Sequence, residues 1–121
     1  MTARLKKDQN FFKSLNLQDS FEIRLGKLKE KDTGELTQKQ VDVLIVIDLV
    51  QLVLNGSVQH IILVSADSDF IPAVKFVKEE GVKVHSRTAA KDIKLELEAS
   101  CDTRKPLDQT FMIECVKDPY L

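Results

Sequence analysis

His60-Ile61-Ile62-Leu63-Val64-Ser65-Ala66-Asp67-Ser68-Asp69-Phe70 begins as an apolar run of strand length and stops abruptly at two carboxylates. A short continuous apolar run bounded by small polar residues predicts a strand covered on both faces. From Phe70 to Glu80 the pattern turns helical, with Pro72 where a first helical turn tolerates it. Gly81 ends that helix, and Val82 to Ser86 predicts the next strand. Strand, helix, glycine and strand in succession make a βαβ unit, which predicts parallel pairing and a right-handed crossover. The fold class that follows is α/β.

Upstream, Thr37 stands ready to cap a helix from about Gln38 to Leu54, closed by Asn55-Gly56. Apolar residues lie nearly all round that helix, so it should be covered on most sides. Further towards the N-terminus, Phe21, Ile23 and Leu25 alternate with Glu22 and Arg24, the period of a half-buried strand that ends or bulges at Gly26. Lys29 to Thr37 reads as a polar surface loop around Gly34, and Ala3 to Leu17 as a helix. Downstream, Lys91 to Cys101 reads as a second helix and Phe111 to Val116 as a last short strand.

With 121 residues, the chain is expected to form one domain over 1–121. Its 43% hydrophobic and 31% charged content is that of an ordinary water-soluble protein. The apolar runs are too short to span a membrane, and the N-terminal residues lead into no signal-peptide core. Cys101 and Cys115 lack metal or redox spacing and read as reduced thiols, so the expected location is cytoplasmic, without membrane association. No Gly-x-Ser-x-Gly elbow and no Gly-rich phosphate loop are present, which argues against a serine hydrolase and a P-loop enzyme.

The chemistry is concentrated in Asp67-Ser68-Asp69. Ligands of parallel α/β sheets bind at the carboxyl ends of the strands, where these residues fall. Like charges about 4 Å apart repel by roughly 4 kcal/mol at an effective dielectric near 20, a cost that a hard divalent cation relieves. Asp69 is also well placed as a helix cap, and both roles stay open for it. Asp42, in a first helical turn, either complements the helix dipole or contributes to a site. Asp48 lies six residues on, about 240° round the helix, so the two cannot share a face. It reads as a supporting residue needing a partner, as does Ser65, whose hydroxyl suits the turn's own backbone.

Lys39-Gln40-Val41-Asp42-Val43, then Asp48, then Ile62 to Phe70, then Gly81-Val82-Lys83-Val84 together resemble the NYN domain, the LabA-like branch of the PIN-like ribonucleases. The resemblance implies a three-layer, Rossmann-like fold with a mainly parallel sheet. It also implies hydrolysis of RNA phosphodiester bonds with Mg²⁺ or Mn²⁺ held by Asp42, Asp67 and Asp69, supported by Asp48 and Ser65. The family opens with a strand ending in an acidic turn, and no counterpart precedes Lys6. That departure implies a sheet missing its N-terminal strand. It opens the alternative of a non-catalytic NYN module that binds RNA or a protein partner, and it predicts a homodimer or poor solubility from unpaired strand edges.

Overall fold

The computed structural model describes residues 3–89 and 95–117. The chain divides into two compact units, 1–44 and 45–121.

The first unit opens with helix α1 (Ala3–Asn16). A two-stranded antiparallel hairpin follows, β1 (Lys27–Glu30) with β2 (Leu36–Lys39), in the register Lys27↔Lys39 to Glu30↔Leu36. The expected strand at Phe21 to Leu25 is therefore displaced: 21–26 has no regular structure, and Phe21 and Leu25 are exposed. Gly26 explains the shift. A Cβ there would lie 2.4 Å from the Lys39 carbonyl oxygen, so the chain passes close to the end of β2 and pairing begins only beyond it.

The stretch expected as a loop is mostly this hairpin. Its turn is closed by the Gly34 amide donating to the Lys31 carbonyl and the Lys31 amide donating to the Glu35 carbonyl, both at 2.8 Å. Gly34 has φ 81°, a conformation that only glycine adopts without strain. Thr37 is consequently a β2 residue whose hydroxyl donates to the Lys29 carbonyl, and it caps no helix.

Helix α2 (Val41–Leu54) begins three residues later than Gln38, after Gln40 in a left-handed conformation (φ 76°). It closes at Asn55-Gly56 as the sequence predicts, with Gly56 at φ 65° and the Ser57 amide donating to the Leu52 carbonyl. Its burial differs from expectation: only Leu49 and Val53 are buried, while Val43, Ile47, Leu52 and Leu54 are exposed. An all-round apolar pattern states a demand for cover, and the described residues meet it on one side.

The second unit is built on a parallel sheet of β3 (His60–Val64), β4 (Lys83–Ala89) and β5 (Thr103–Leu107), in that spatial order. A 3-10 turn at Ser68–Phe70 and helix α3 (Ile71–Glu79) connect β3 to β4, which is the βαβ unit read from the sequence. Gly81, at φ 85°, reverses the chain into β4. Ile61 and Leu63 of β3 and Val84 of β4 face a core completed by Leu49, Val53, Ala73, Val74, Val77 and, from helix α4 (Leu95–Ser100), Leu97.

Cover on both faces of β3 is not observed. Ile61 and Leu63 are buried, but Ile62 and Val64 on the alternate face are 62% and 65% exposed. The expected helix from Lys91 is seen from Leu95; 91–94 lies outside the described residues. The expected C-terminal strand is instead helix α5 (Gln109–Lys117), because the Asp108 carboxylate accepts the Phe111 amide at 2.9 Å and caps it. The last strand is β5, whose Thr-Arg-Lys-Pro-Leu sequence carries no strand alternation and whose Pro106 suits an edge. No described helix is long and apolar enough to cross a membrane.

Candidate functional site at the carboxyl end of the parallel sheet

Ser65, Ala66 and Asp67 carry the chain out of β3 and across the carboxyl end of the sheet. The Asp67 amide donates to Ser65 Oγ at 3.1 Å, which is the backbone role predicted for this serine. Asp67 Oδ1 accepts the Asp69 amide at 2.9 Å, so Asp67 is the N-cap of the 3-10 turn. Sequence reasoning placed the cap on Asp69; the intervening 3-10 turn moves it back two residues, and helix α3 starts from Phe70 with no side-chain cap. Phe70, 2% exposed, anchors the turn in the core, which holds Asp67 and Asp69 at the surface.

A cleft of about 610 Å³ opens here, lined by Ser65, Asp67 and Ser68 from the β3 side and by Arg87, Thr88 and Leu107 from the ends of β4 and β5. Asp67 is half-buried in it, and one carboxylate oxygen remains beyond the cap bond to take up a ligand. Asp69 is exposed, one residue from the lining. Asp48 is half-buried along α2 and does not line the cleft. Asp42 occupies the first turn of α2 and is exposed, within the first unit.

Arg87, Thr88 and Leu107 were not singled out from the sequence. The signal was available for the first two: parallel strands end together, and the register pairs Val64 with Arg87. Leu107 could not be found that way, since β5 was not recognised as a strand. Arg87 Nη1 donates to the Ser86 carbonyl at 2.8 Å, which ties the guanidinium to its own strand beside the cleft. Chemically, the cleft pairs hard oxygen donors with a fixed cation, a combination suited to a divalent metal and a phosphate group.

The family described as the NYN domain matches residues 2–108 of the chain. An uncharacterized protein of Sinorhizobium fredii, y4oD, is 36% identical over 67 residues, covering 55% of this chain and 29% of that protein. The chain thus spans less than a third of that relative's length. The crystal structure of VPA0982, a protein of unknown function from Vibrio parahaemolyticus, shares the fold with a TM-score of 0.61. That likeness covers 91% of this chain and 64% of the other, at 18% identity.

Proposed function

The chain belongs to the NYN domain family, and on that premise we propose that it is a metal-dependent ribonuclease domain, hydrolysing RNA phosphodiester bonds with Mg²⁺ or Mn²⁺. The observation that carries this reading is the Asp67-Ser68-Asp69 turn at the carboxyl end of a parallel sheet, beside a cleft that Asp67, Ser68 and Arg87 all line. In this proposal Asp67 and Asp69, with Asp42 as the third carboxylate, hold the cation. The donor set is all oxygen and anionic, which fits a hard divalent ion and not a soft one. Such an ion supplies a water of lowered pKa and neutralises charge on the phosphate.

The residues of the chain have definable parts in this. Ser65 Oγ fixes the Asp67 backbone, and the cap bond to the Asp69 amide sets the direction of the Asp67 carboxylate. Asp48 supports from the middle of α2. The two free cysteines fit a reducing compartment, and the cytoplasm is the proposed location.

A second reading has its own support: with Asp67 Oδ1 already used as a cap, the turn has a complete structural reason to exist. In that case the domain binds RNA or a protein partner without cutting. Incubation of the chain with labelled single-stranded RNA and Mn²⁺ separates the two. Cleavage that disappears in EDTA and falls at least about 100-fold in Asp67→Asn is expected. Equal cleavage in EDTA refutes the metal mechanism, and RNA binding without cleavage leaves the second reading.

A further inference from the structure

Parallel sheets are normally covered on both faces. On the face of this one that points away from the core, among the described residues, His60, Ile62, Val64, Lys83 and Lys105 are exposed and His85 and Arg87 half-buried. The composition of that face is one-sided. The register places ten positions on it, from β3, β4 and β5. Among them are His60, Lys83, His85, Arg87 and Lys105, and none of the ten is acidic. Asp102, at the foot of the sheet, attracts Lys83 and His85 but is already engaged by the Val84 amide and by Lys78.

Five nitrogen-bearing side chains with no carboxylate on the face itself are a poor surface for core packing and a suitable one for a polyanion. We infer that this face is a binding track for the sugar-phosphate backbone of single-stranded RNA, leading into the cleft at Asp67. Lys83, His85 and Arg87 follow one another along β4 at intervals of about 6.6 Å, with Lys105 on the neighbouring strand about 4.8 Å to the side. Arg87 joins the two regions, since it stands on this face and also lines the cleft.

The track is partly preorganised. His60 Nδ1 and His85 Nε2 share a hydrogen bond at 3.0 Å, with the rings stacked at 18° and centroids 5.3 Å apart. His85 Nδ1 is in turn 2.6 Å from Thr103 Oγ1, so the hydrogen-bonded chain crosses all three strands. The stacked imidazoles offer a ring face to a base, while Ile62 and Val64 on the edge strand offer apolar contact to ribose and bases. Backbone charge and ring stacking carry no base identity, so the expected binding is indifferent to sequence.

The direction of the track rests on the cleft being an RNA-hydrolysing site; binding to the face does not. The test is fluorescence anisotropy of a labelled oligouridine with the full chain in EDTA, at several salt concentrations. Replacing both exposed lysines, Lys83→Gln with Lys105→Gln, should weaken binding about tenfold. It should also make the slope of log affinity against log salt shallower by about 1.4, or 0.7 for each lost phosphate contact on a single strand. Lys75→Gln, an exposed lysine of helix α3 on the other side of the sheet, should bind as the wild type does. Wild-type affinity and slope in the lysine variant overturn the inference, including the case in which only its sedimentation changes because the face holds a second copy. Protection of Lys83 and Lys105 from acetylation by bound oligouridine provides a readout that needs no variant, and equal acetylation with and without RNA also overturns it. Loss of cleavage dependence on Asp67 with the lysine effects intact would refute the cleft's assignment and leave the track standing.

Discussion

Ser86 sits on the inner face of β4, 1% exposed, and its hydroxyl has no hydrogen-bond partner among the described residues. A buried hydroxyl without a partner costs free energy that a methyl group does not. Ser86→Ala is therefore expected to leave stability unchanged or raise it by about 1 kcal/mol, measured by urea denaturation. Gly26 presents the opposite case. A side chain there would meet the Lys39 carbonyl oxygen at 2.4 Å and a Val41 methyl at 2.5 Å. One of these contacts belongs to the backbone, so relief requires moving β2 or the start of α2. Gly26→Ala should lower stability by about 1–3 kcal/mol, and a melting temperature equal to the wild type's would show that the approach relaxes freely. At this scale the sequence was informative about Asp67 and Ser65 but not about which carboxylate caps the turn. That depends on whether the first turn is 3-10 or α, a difference of one hydrogen bond that no residue type announces.

Between β4 and β5, a single residue sets the register of the strand pair. The Asp102 carboxylate accepts the Val84 amide at 2.8 Å, and the Asp102 amide donates to the Val84 carbonyl at 2.8 Å. Both backbone groups of Val84 are thus satisfied by Asp102. The amide hydrogen bond holds the Asp102 carboxyl below its ordinary value of 3.8, with burial acting the other way and Lys78, Lys83 and His85 adding attraction. Because the folded value is the lower one, the stabilisation is present at neutral pH and is lost as pH falls from about 4 through that lower value. Asp102→Asn keeps an oxygen for the Val84 amide but has nothing to protonate. Its stability should fall less steeply with acid than the wild type's, in urea melts collected below about pH 5. Identical acid profiles would remove Asp102 from the account. The same pair explains why β5 was missed: its hold on β4 comes from backbone pairing and from Asp102, not from an alternating apolar pattern.

For the molecule as a whole, β3 is the unsettled strand. It pairs with β4 on one side, and among the described residues no strand lies on its other side. Its outward Ile62 and Val64 are exposed. A free parallel edge with apolar neighbours is a template for another chain. Sedimentation velocity should therefore show concentration-dependent self-association, weakened in Ile62→Lys. A single monomeric species at every concentration would mean that the edge is protected in solution.

The sequence by itself determined the βαβ unit, the parallel pairing, the Asp67-Ser68-Asp69 turn at its carboxyl end and the glycine stops at Gly56 and Gly81. Each is written in contiguous residues: apolar period, helix punctuation and turn chemistry act within a few residues of one another. Only the tertiary structure decided the rest. The hairpin follows from the close approach of Gly26 to Lys39, thirteen residues away. The choice of helix at 109–117 turned on the Asp108 cap, which tips a short apolar segment that fits either period. Arg87 entered the cleft because strands distant in sequence end at the same level of the sheet. The basic face exists only once the registers of three strands are known, since a shift of one residue would turn Lys83, His85 and Arg87 inward.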